Sequence, residues 1–309
     1  MQREELEFII LAAGKSTRNF PHSKGIPHKS LVPFGSRKII DHLMSEIISA
    51  GGKYITIVVS DDNAKKAFQE CFKREEIVEN KFKKSNNQIG LELLQSIYIP
   101  KDVNIKYVIQ KEPKGLAHAI GLAAQEIKNR NLAIMLPDDI IITNDGISVV
   151  KKVVEKYKND GSKGNLFLTR KVNDISRWGI VENGKLIEKP KTSNSKEAAI
   201  MLFILDKVVG TRLIKAAINA DTPGTYEYEK WQNQEEIHHS RYLNEESTKD
   251  PESMAIRTFK ICDEDIFLDC GTLEGYEKAL LYTLTTTSFF REENREFIIN
   301  HLDKICAKT

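Results

Sequence analysis

The chain has 309 residues and sets 46 Lys+Arg against 44 Asp+Glu, a formal charge of +2. That balance leaves no overall field to hold a nucleic-acid backbone or an anionic membrane surface. Hydrophobic residues at 40% and charged residues at 29% exclude a disordered or membrane-embedded chain, and the length accommodates about two domains or one large α/β domain with insertions.

The N-terminal Met-Gln-Arg-Glu-Glu runs straight into an apolar stretch, without the basic start and cleavage site of an export signal. Phe8–Ala12 reads as a buried strand of the parallel kind, and a polar loop follows from Ala13 to Pro33. Ile40, Leu43 and Ile47 recur at helical spacing until Gly51-Gly52 stops them. Tyr54–Val59 is a second strand. Ser60-Asp61-Asp62 offers an N-cap to a helix carrying Ala67, Phe68 and Cys71. Arg74–Tyr98 is charged and amphipathic, helical with a soft break at Ser85-Asn86-Asn87. Ile105–Gln110 is a strand, Gly115–Lys128 a helix, and Leu132–Leu136 a strand that stops at Pro137-Asp138-Asp139.

Beyond about residue 165 the pattern turns β-rich: Asn165–Arg170, Gly179–Val181, Lys185–Glu188 and Ala198–Leu205, with a hairpin signal at Glu182-Asn183-Gly184. Ala198–Leu205, the longest apolar run, is far short of the ~20 residues of a membrane-spanning helix. Residues 219–254 are polar and specify no clear element. Ala255–Ile261 and Phe267–Leu268 read as strands, Glu274–Leu284 and Arg291–Ile305 as closing helices. The predicted class is α/β: a doubly wound, mostly parallel, Rossmann-like sheet between helices, with a β-rich layer and a C-terminal helical segment. Ligands bind such sheets at the carboxyl ends of the strands, and Gly14, Gln110 and Asp138 all fall there. The cysteines Cys71, Cys262, Cys270 and Cys306 form no Cys-x-x-Cys pair, which suits a reducing cytoplasm.

Leu11-Ala12-Ala13-Gly14-Lys15-Ser16-Thr17-Arg18 carries a strand into small residues, so backbone N–H groups can approach phosphates. Gly14-Lys15-Ser16 is not a P-loop, because Ile9 occupies the place of its first glycine. Ala-Ala-Gly-x-x-Thr-Arg, then Pro-x-x-Lys-x-Ile-Pro, then Lys29-Ser30-Leu31-Val32-Pro33 resembles the sugar-1-phosphate nucleotidyltransferases, above all the bacterial UTP–glucose-1-phosphate uridylyltransferases. Further segments follow in the family's order: Gln110 to Ala119, Leu136-Pro137-Asp138, Trp178-Gly179-Ile180-Val181, Glu188-Lys189-Pro190-Lys191 and Asp269-Cys270-Gly271.

The resemblance implies transfer of a nucleotidyl group from UTP to a sugar 1-phosphate, most simply glucose 1-phosphate, with loss of pyrophosphate. Such chemistry needs cations and a carboxylate-held Mg²⁺ rather than a protein nucleophile. Arg18 and Lys29, with Lys24 beside them, would hold the triphosphate. Leu11, Ala12, Ala13 and Gly14 would line it, and Asp138 and Asp269 would hold Mg²⁺. Gln110 would read the base, with Gly115 giving the ring room. Gly179, Glu188 and Lys189 would bind the sugar phosphate, Lys189 as the clamp. Asp139 reads as an ordinary turn residue and His118 as a packing residue. The implied division is a nucleotide-binding part over about 1–164 and a sugar-binding part over about 165–284. A C-terminal helix over 285–309 would carry Phe290, Phe297, Ile298 and Leu302 into a homo-oligomer, dimer or tetramer.

Three departures stand out. Ser16 replaces a loop glycine and is expected to keep φ < 0. His28 is one residue too many before Lys29. Ala199–Phe203 lacks the family's glycine, and Gly224–Trp231 replaces a sugar-contacting stretch. These leave open the same chemistry with dTTP, a guanylyl transfer or another sugar, or a non-catalytic paralogue that binds a nucleotide sugar.

Overall fold

The computed structural model describes residues 6–127 and 130–301. The predicted ends of two helices, with Lys128 and with Leu302 to Ile305, and Cys306 lie outside the described residues. The strands are β1 (Glu7–Ala12), β2 (Pro33–Phe34), β3 (Arg37–Lys38), β4 (Tyr54–Val59), β5 (Asn104–Ile109), β6 (Leu132–Met135), β7 (Asp139–Ile142), β8 (Asn165–Lys171), β9 (Gly179–Glu182), β10 (Lys185–Glu188), β11 (Glu197–Leu205), β12 (Ile256–Lys260) and β13 (Ile266–Asp269). β5, β4, β1 and β6 form a parallel core. β11 joins β6 antiparallel and leads to β9 and β10, while β8 and β12 branch from β11.

β1 is buried along its whole length because both faces are covered. Phe8, Ile10 and Ala12 pack on one side with Ile40, Ile47, Phe68 and Val153. Ile9 and Leu11 pack on the other with Ala117, Ile120 and Leu213. A strand covered twice reads as a continuous apolar run, not an alternating one. The carboxyl edge of this sheet is where the loop after β1, the end of β5 and the end of β6 meet.

A separate two-stranded unit sits at that edge. β7 pairs antiparallel with β13, Asp139 opposite Asp269 and Ile140 opposite Leu268. Its apolar residues join Val32, Phe34, Ile39, Cys270, Tyr276 and Ala279 in a cluster of their own. The helix Leu273–Thr286 thereby braces the acids from behind.

Several elements depart from the sequence-based expectation. Asp139–Ile142 is a strand rather than the tail of a turn, because β13, far along the chain, pairs with it. Residues 219–254 are helical, as Tyr226–Gln232, Ser240–Lys249 and Pro251–Met254. Thr225 and Asp250 cap two of these helices through their side chains. Tyr242 and Leu243 anchor the longest in the core. β11 carries a bulge between Ala199 and Phe203, with Met201 at φ +43. The expected glycine is absent, but the backbone conformation that favours it is kept.

Candidate active site

The loop after β1 begins with Gly14 and Lys15 in solvent, and open space surrounds the Cβ position of Gly14. Ser16 adopts φ +53, which corrects the expectation of a negative angle. The left-handed backbone is compensated locally, since Ser16 Oγ accepts from Lys29 N at 3.0 Å. Arg18 lies on a short 3-10 turn, Thr17–Asn19, and both Arg18 and Lys24 are exposed. His28 is buried, and its ring Nδ1 accepts from Ser30 N at 3.2 Å, capping the turn that presents Lys29. Burial, then the charge of Lys29, lowers its pKa to about 4, so the ring is neutral. The extra residue is therefore a built capping group.

Lys29 Nζ forms an ion pair with Asp138 Oδ2. Asp138 follows β6, and its carbonyl accepts from Cys270 N at 2.7 Å, so the β7–β13 pairing carries Asp269 to the same place. A Cβ on Gly271 would lie 2.6 Å from Asp138 Oδ2, 2.9 Å from Asp269 Oδ1 and 3.3 Å from Lys29 Nζ. Three charged groups predicted from segments far apart in sequence thus face one small space. Asn19, fully buried, donates from Nδ2 to Cys270 O at 3.0 Å and ties the loop after β1 to this strand end.

Asp139 is not an ordinary turn residue. Its carboxylate is buried and accepts from Met201 N at 3.0 Å, holding the bulge of β11. Its pKa is raised well above the usual aspartate value, by burial first and by the charge of Asp138 second. Arg170, at the predicted end of β8, stacks its guanidinium 4.4 Å over the Phe267 ring. Burial lowers its pKa, and Asp139 and Asp269 pull it back. It adds a cation near the acids. A basic residue closing a predicted strand was the only signal for it.

At the end of β5, Gln110 is buried. Its Nε2 donates to Gly115 O at 3.4 Å and lies 2.9 Å from His118 Nδ1. His118 is indeed buried in the helix Leu116–Gln125. Gly115 takes φ +108, and a Cβ there would meet Ile237 N at 2.7 Å and Ile237 O at 2.8 Å. The close neighbour that requires this glycine is thus the chain itself. Ile237 N donates to Lys114 O at 2.8 Å and Ala117 N to Ile237 O at 3.0 Å.

The remaining candidates sit on the β9–β10 hairpin, where Gly179 lies opposite Glu188. Lys189 is exposed, at φ +43, and its N–H donates to Trp178 O at 2.9 Å. Trp178 packs edge-on against Phe267 with ring centroids 5.9 Å apart, which joins the hairpin to β13 and the acids. Glu188 is half-buried with a raised pKa, through burial first. The structure therefore brings Lys29, Asp138 and Asp269 around one small space, with Lys29 and Asp138 in direct contact, and links Trp178 and the hairpin to Asp269's strand through Phe267.

The donor set has the chemistry of a site for a divalent ion. Among the described residues no three His, Cys, Asp or Glu groups form a closed ligand set. Asp138 and Asp269 are an open pair facing one space, which suits Mg²⁺, an ion that takes one or two carboxylates and fills its other positions with water and phosphate. The residues fit the group.

A parallel core covered by helices on both faces, with a small-residue loop and an open acid pair at its carboxyl edge, makes this an α/β protein of the class that binds ligands at the ends of its strands. The chain belongs to the nucleotidyl transferase family, whose model matches residues 7–285. It is 31% identical over 213 residues to UTP–glucose-1-phosphate uridylyltransferase 1 of Staphylococcus saprophyticus, covering 68% of this chain and 68% of that protein. Among solved structures it is similar to UDP-glucose pyrophosphorylase from Acinetobacter baumannii, with a TM-score of 0.76 at 21% identity over 96% of this chain and 99% of the other. A UTP-bound form from that organism gives 0.75 at 20% identity, over the same shares of each chain. At these identities the two structures establish the fold.

Proposed function

We propose that this chain joins UTP and glucose 1-phosphate to give UDP-glucose and pyrophosphate. The observation that carries this is the convergence of Lys29, Asp138 and Asp269 over Gly271, beside the loop after β1, in a chain related to a uridylyltransferase. An oxygen of the sugar phosphate attacks the α-phosphorus of UTP in line, and the bond from that phosphorus to pyrophosphate breaks. Both reactants are polyanions, so the barrier is lowered by groups that neutralise charge in the transition state.

Arg18, Lys24 and Lys29 hold the triphosphate and the leaving pyrophosphate, and backbone from Leu11 to Gly14 lies along it. Mg²⁺, held by Asp138 and Asp269, supplies neutralisation of the phosphate charge when bound. Gln110 commits its Nε2 to Gly115 and His118. That leaves Oε1 to accept N3–H of uracil, an atom thymine shares. Lys189 clamps the sugar phosphate, Glu188 accepts from a sugar hydroxyl, and Gly179 keeps the floor of that site low.

Residues 1–164 form the nucleotide part and 165–284 the sugar part of one catalytic unit. We assign the protein to the cytoplasm, on the free Cys71, Cys262 and Cys270; among the described residues no helix is long and apolar enough to cross a membrane. Exposed Phe289, Phe290, Phe297 and Ile299 near the end of the chain support a homo-oligomer, dimer or tetramer.

The test is pyrophosphate release from UTP with Mg²⁺ and a panel of sugar 1-phosphates, with dTTP in parallel. Turnover with glucose 1-phosphate is expected. Folded protein inactive on every pair would overturn the proposal.

A further inference from the structure

Residues 234–239 cross from one half of the cleft to the other. Ile237 lies along the base loop through its two backbone hydrogen bonds to Lys114 and Ala117. His239, a little further on, reaches the sugar hairpin. It is 4% exposed, and its ring stacks on Phe203 with centroids 5.0 Å apart and planes at 22°. Phe203 stacks in turn on Phe167 at 5.0 Å. Among the described residues neither ring nitrogen of His239 has a hydrogen-bond partner. Nδ1 stands 3.9 Å from Glu188 Oε1, while Glu188 Oε2 lies 3.6 Å from the Cβ position of Gly179.

A buried imidazole with both nitrogens unpartnered is unusual and asks for a reason. Burial lowers the pKa of His239 to about 3, so the ring is neutral and offers one N–H donor and one acceptor. The surroundings of Glu188 explain why a donor is needed. Its carboxylate lies in the field of His238, Lys189 and Glu236, and no hydrogen bond fixes which oxygen faces the cleft. A single donor on Oε1 would fix the plane of the carboxylate and leave Oε2 to accept from a substrate.

We infer that His239 is the positioning residue for Glu188: its Nδ1–H closes onto Glu188 Oε1 when a sugar phosphate binds and aims Oε2 at a sugar hydroxyl. The inference rests on the proposed uridylyl transfer and assigns the sugar half of that site. Residues 234–239 contain none of the family motifs found in the sequence.

The experiment compares wild type, His239→Phe and His239→Asn in steady-state assays with UTP and glucose 1-phosphate. Phenylalanine keeps the stack on Phe203 and removes the donor. KM for the sugar phosphate is expected to rise about tenfold, with KM for UTP within about twofold, as when one hydrogen bond to an oriented carboxylate is lost. Asparagine places an N–H near Nδ1 and is expected to restore the sugar KM to within about threefold, even if it melts earlier. In a Glu188→Ala background, which removes the acceptor, the phenylalanine change should add nothing, since the two residues act together. An unchanged sugar KM in folded His239→Phe, an equal rise in both KM values, or no recovery in folded His239→Asn would overturn the inference while leaving the transferase activity standing. Wild-type protein without turnover would instead overturn the proposed function, and this inference with it.

Discussion

At the end of the cleft proposed for the phosphates, the groups around the acid pair are tied down, while Arg18 and Lys24 stay exposed. Lys29 is held by Asp138 and by the Ser16 hydroxyl, His28 caps its turn, and Asn19 fastens the loop to the strand that carries Asp269. At the end proposed for the sugar Lys189 is exposed, the Glu188 carboxylate has no hydrogen bond among the described residues, and His239 Nδ1 stands 3.9 Å from it. Transition-state charge on a phosphoryl group needs donors already in place, because reorganising them at the moment of reaction would cost the gain. A sugar, bound by hydroxyls and discriminated by contacts, tolerates a site that completes itself on binding. The difference explains why the reaction type is easier to assign than the sugar.

Substitutions should separate the two ends. Asp138→Asn removes charge from the acid pair and leaves Lys29 uncompensated, so turnover should fall on the order of 10³-fold, read as pyrophosphate release. Gly271→Ala puts a methyl within 2.6 Å of Asp138 Oδ2 and 2.9 Å of Asp269 Oδ1. It should cost on the order of 10²-fold in kcat with the circular-dichroism spectrum preserved; a variant as fast as wild type would mean the two acids need not meet.

The tied-down end should also show in acid. His28 is held to a pKa of about 4 when folded, against an ordinary value of 6.5. Between these values only the unfolded chain takes up the proton, so its contribution to stability is full above the ordinary value and is lost as pH falls toward the folded one. About 2 kcal/mol should disappear between neutral pH and pH ~5. His28→Asn keeps an acceptor for Ser30 N without titrating there, and urea titrations at both pH values should show that much less loss.

Lys189→Ala, at the looser end, should raise KM for the sugar phosphate about tenfold and leave UTP nearly unaffected. An equal loss of both would remove Lys189 from the role of sugar-phosphate clamp. The smallest effect belongs to Ser16. Glycine relieves the left-handed backbone but deletes the acceptor for Lys29 N, so Tm should barely move. Alanine keeps the strain and loses the acceptor, and should be about 1 kcal/mol less stable than glycine by thermal melts.

The main strands and helices of residues 7–135 were legible because their signals are local: apolar runs for β1, β4, β5 and β6, and the Asp61 cap whose side chain accepts from Ala64 N at 2.8 Å; the short β2–β3 pair, which carries no apolar run, was not. β7 was not legible, since Asp139–Ile142 becomes a strand only through β13. The helices within 219–254 were hidden by polar composition; caps and the buried Tyr242 and Leu243 decide them. Asn19, Arg170 and His239 carried no motif, and their importance lies in what they touch.

The parallel core was legible from short-range rules, in which a few neighbouring residues fix a turn or a strand. The order of short motifs carried the family resemblance, and that resemblance in turn implied the candidates Arg18, Lys29, Asp138, Lys189 and Asp269. That Lys29, Asp138 and Asp269 share one space, that Asp139 sits inside the protein holding a bulge, and that His239 looks onto Glu188 follow instead from pairings between distant segments. Such contacts depend on which surfaces are buried together, and no local stretch of chain contains that information.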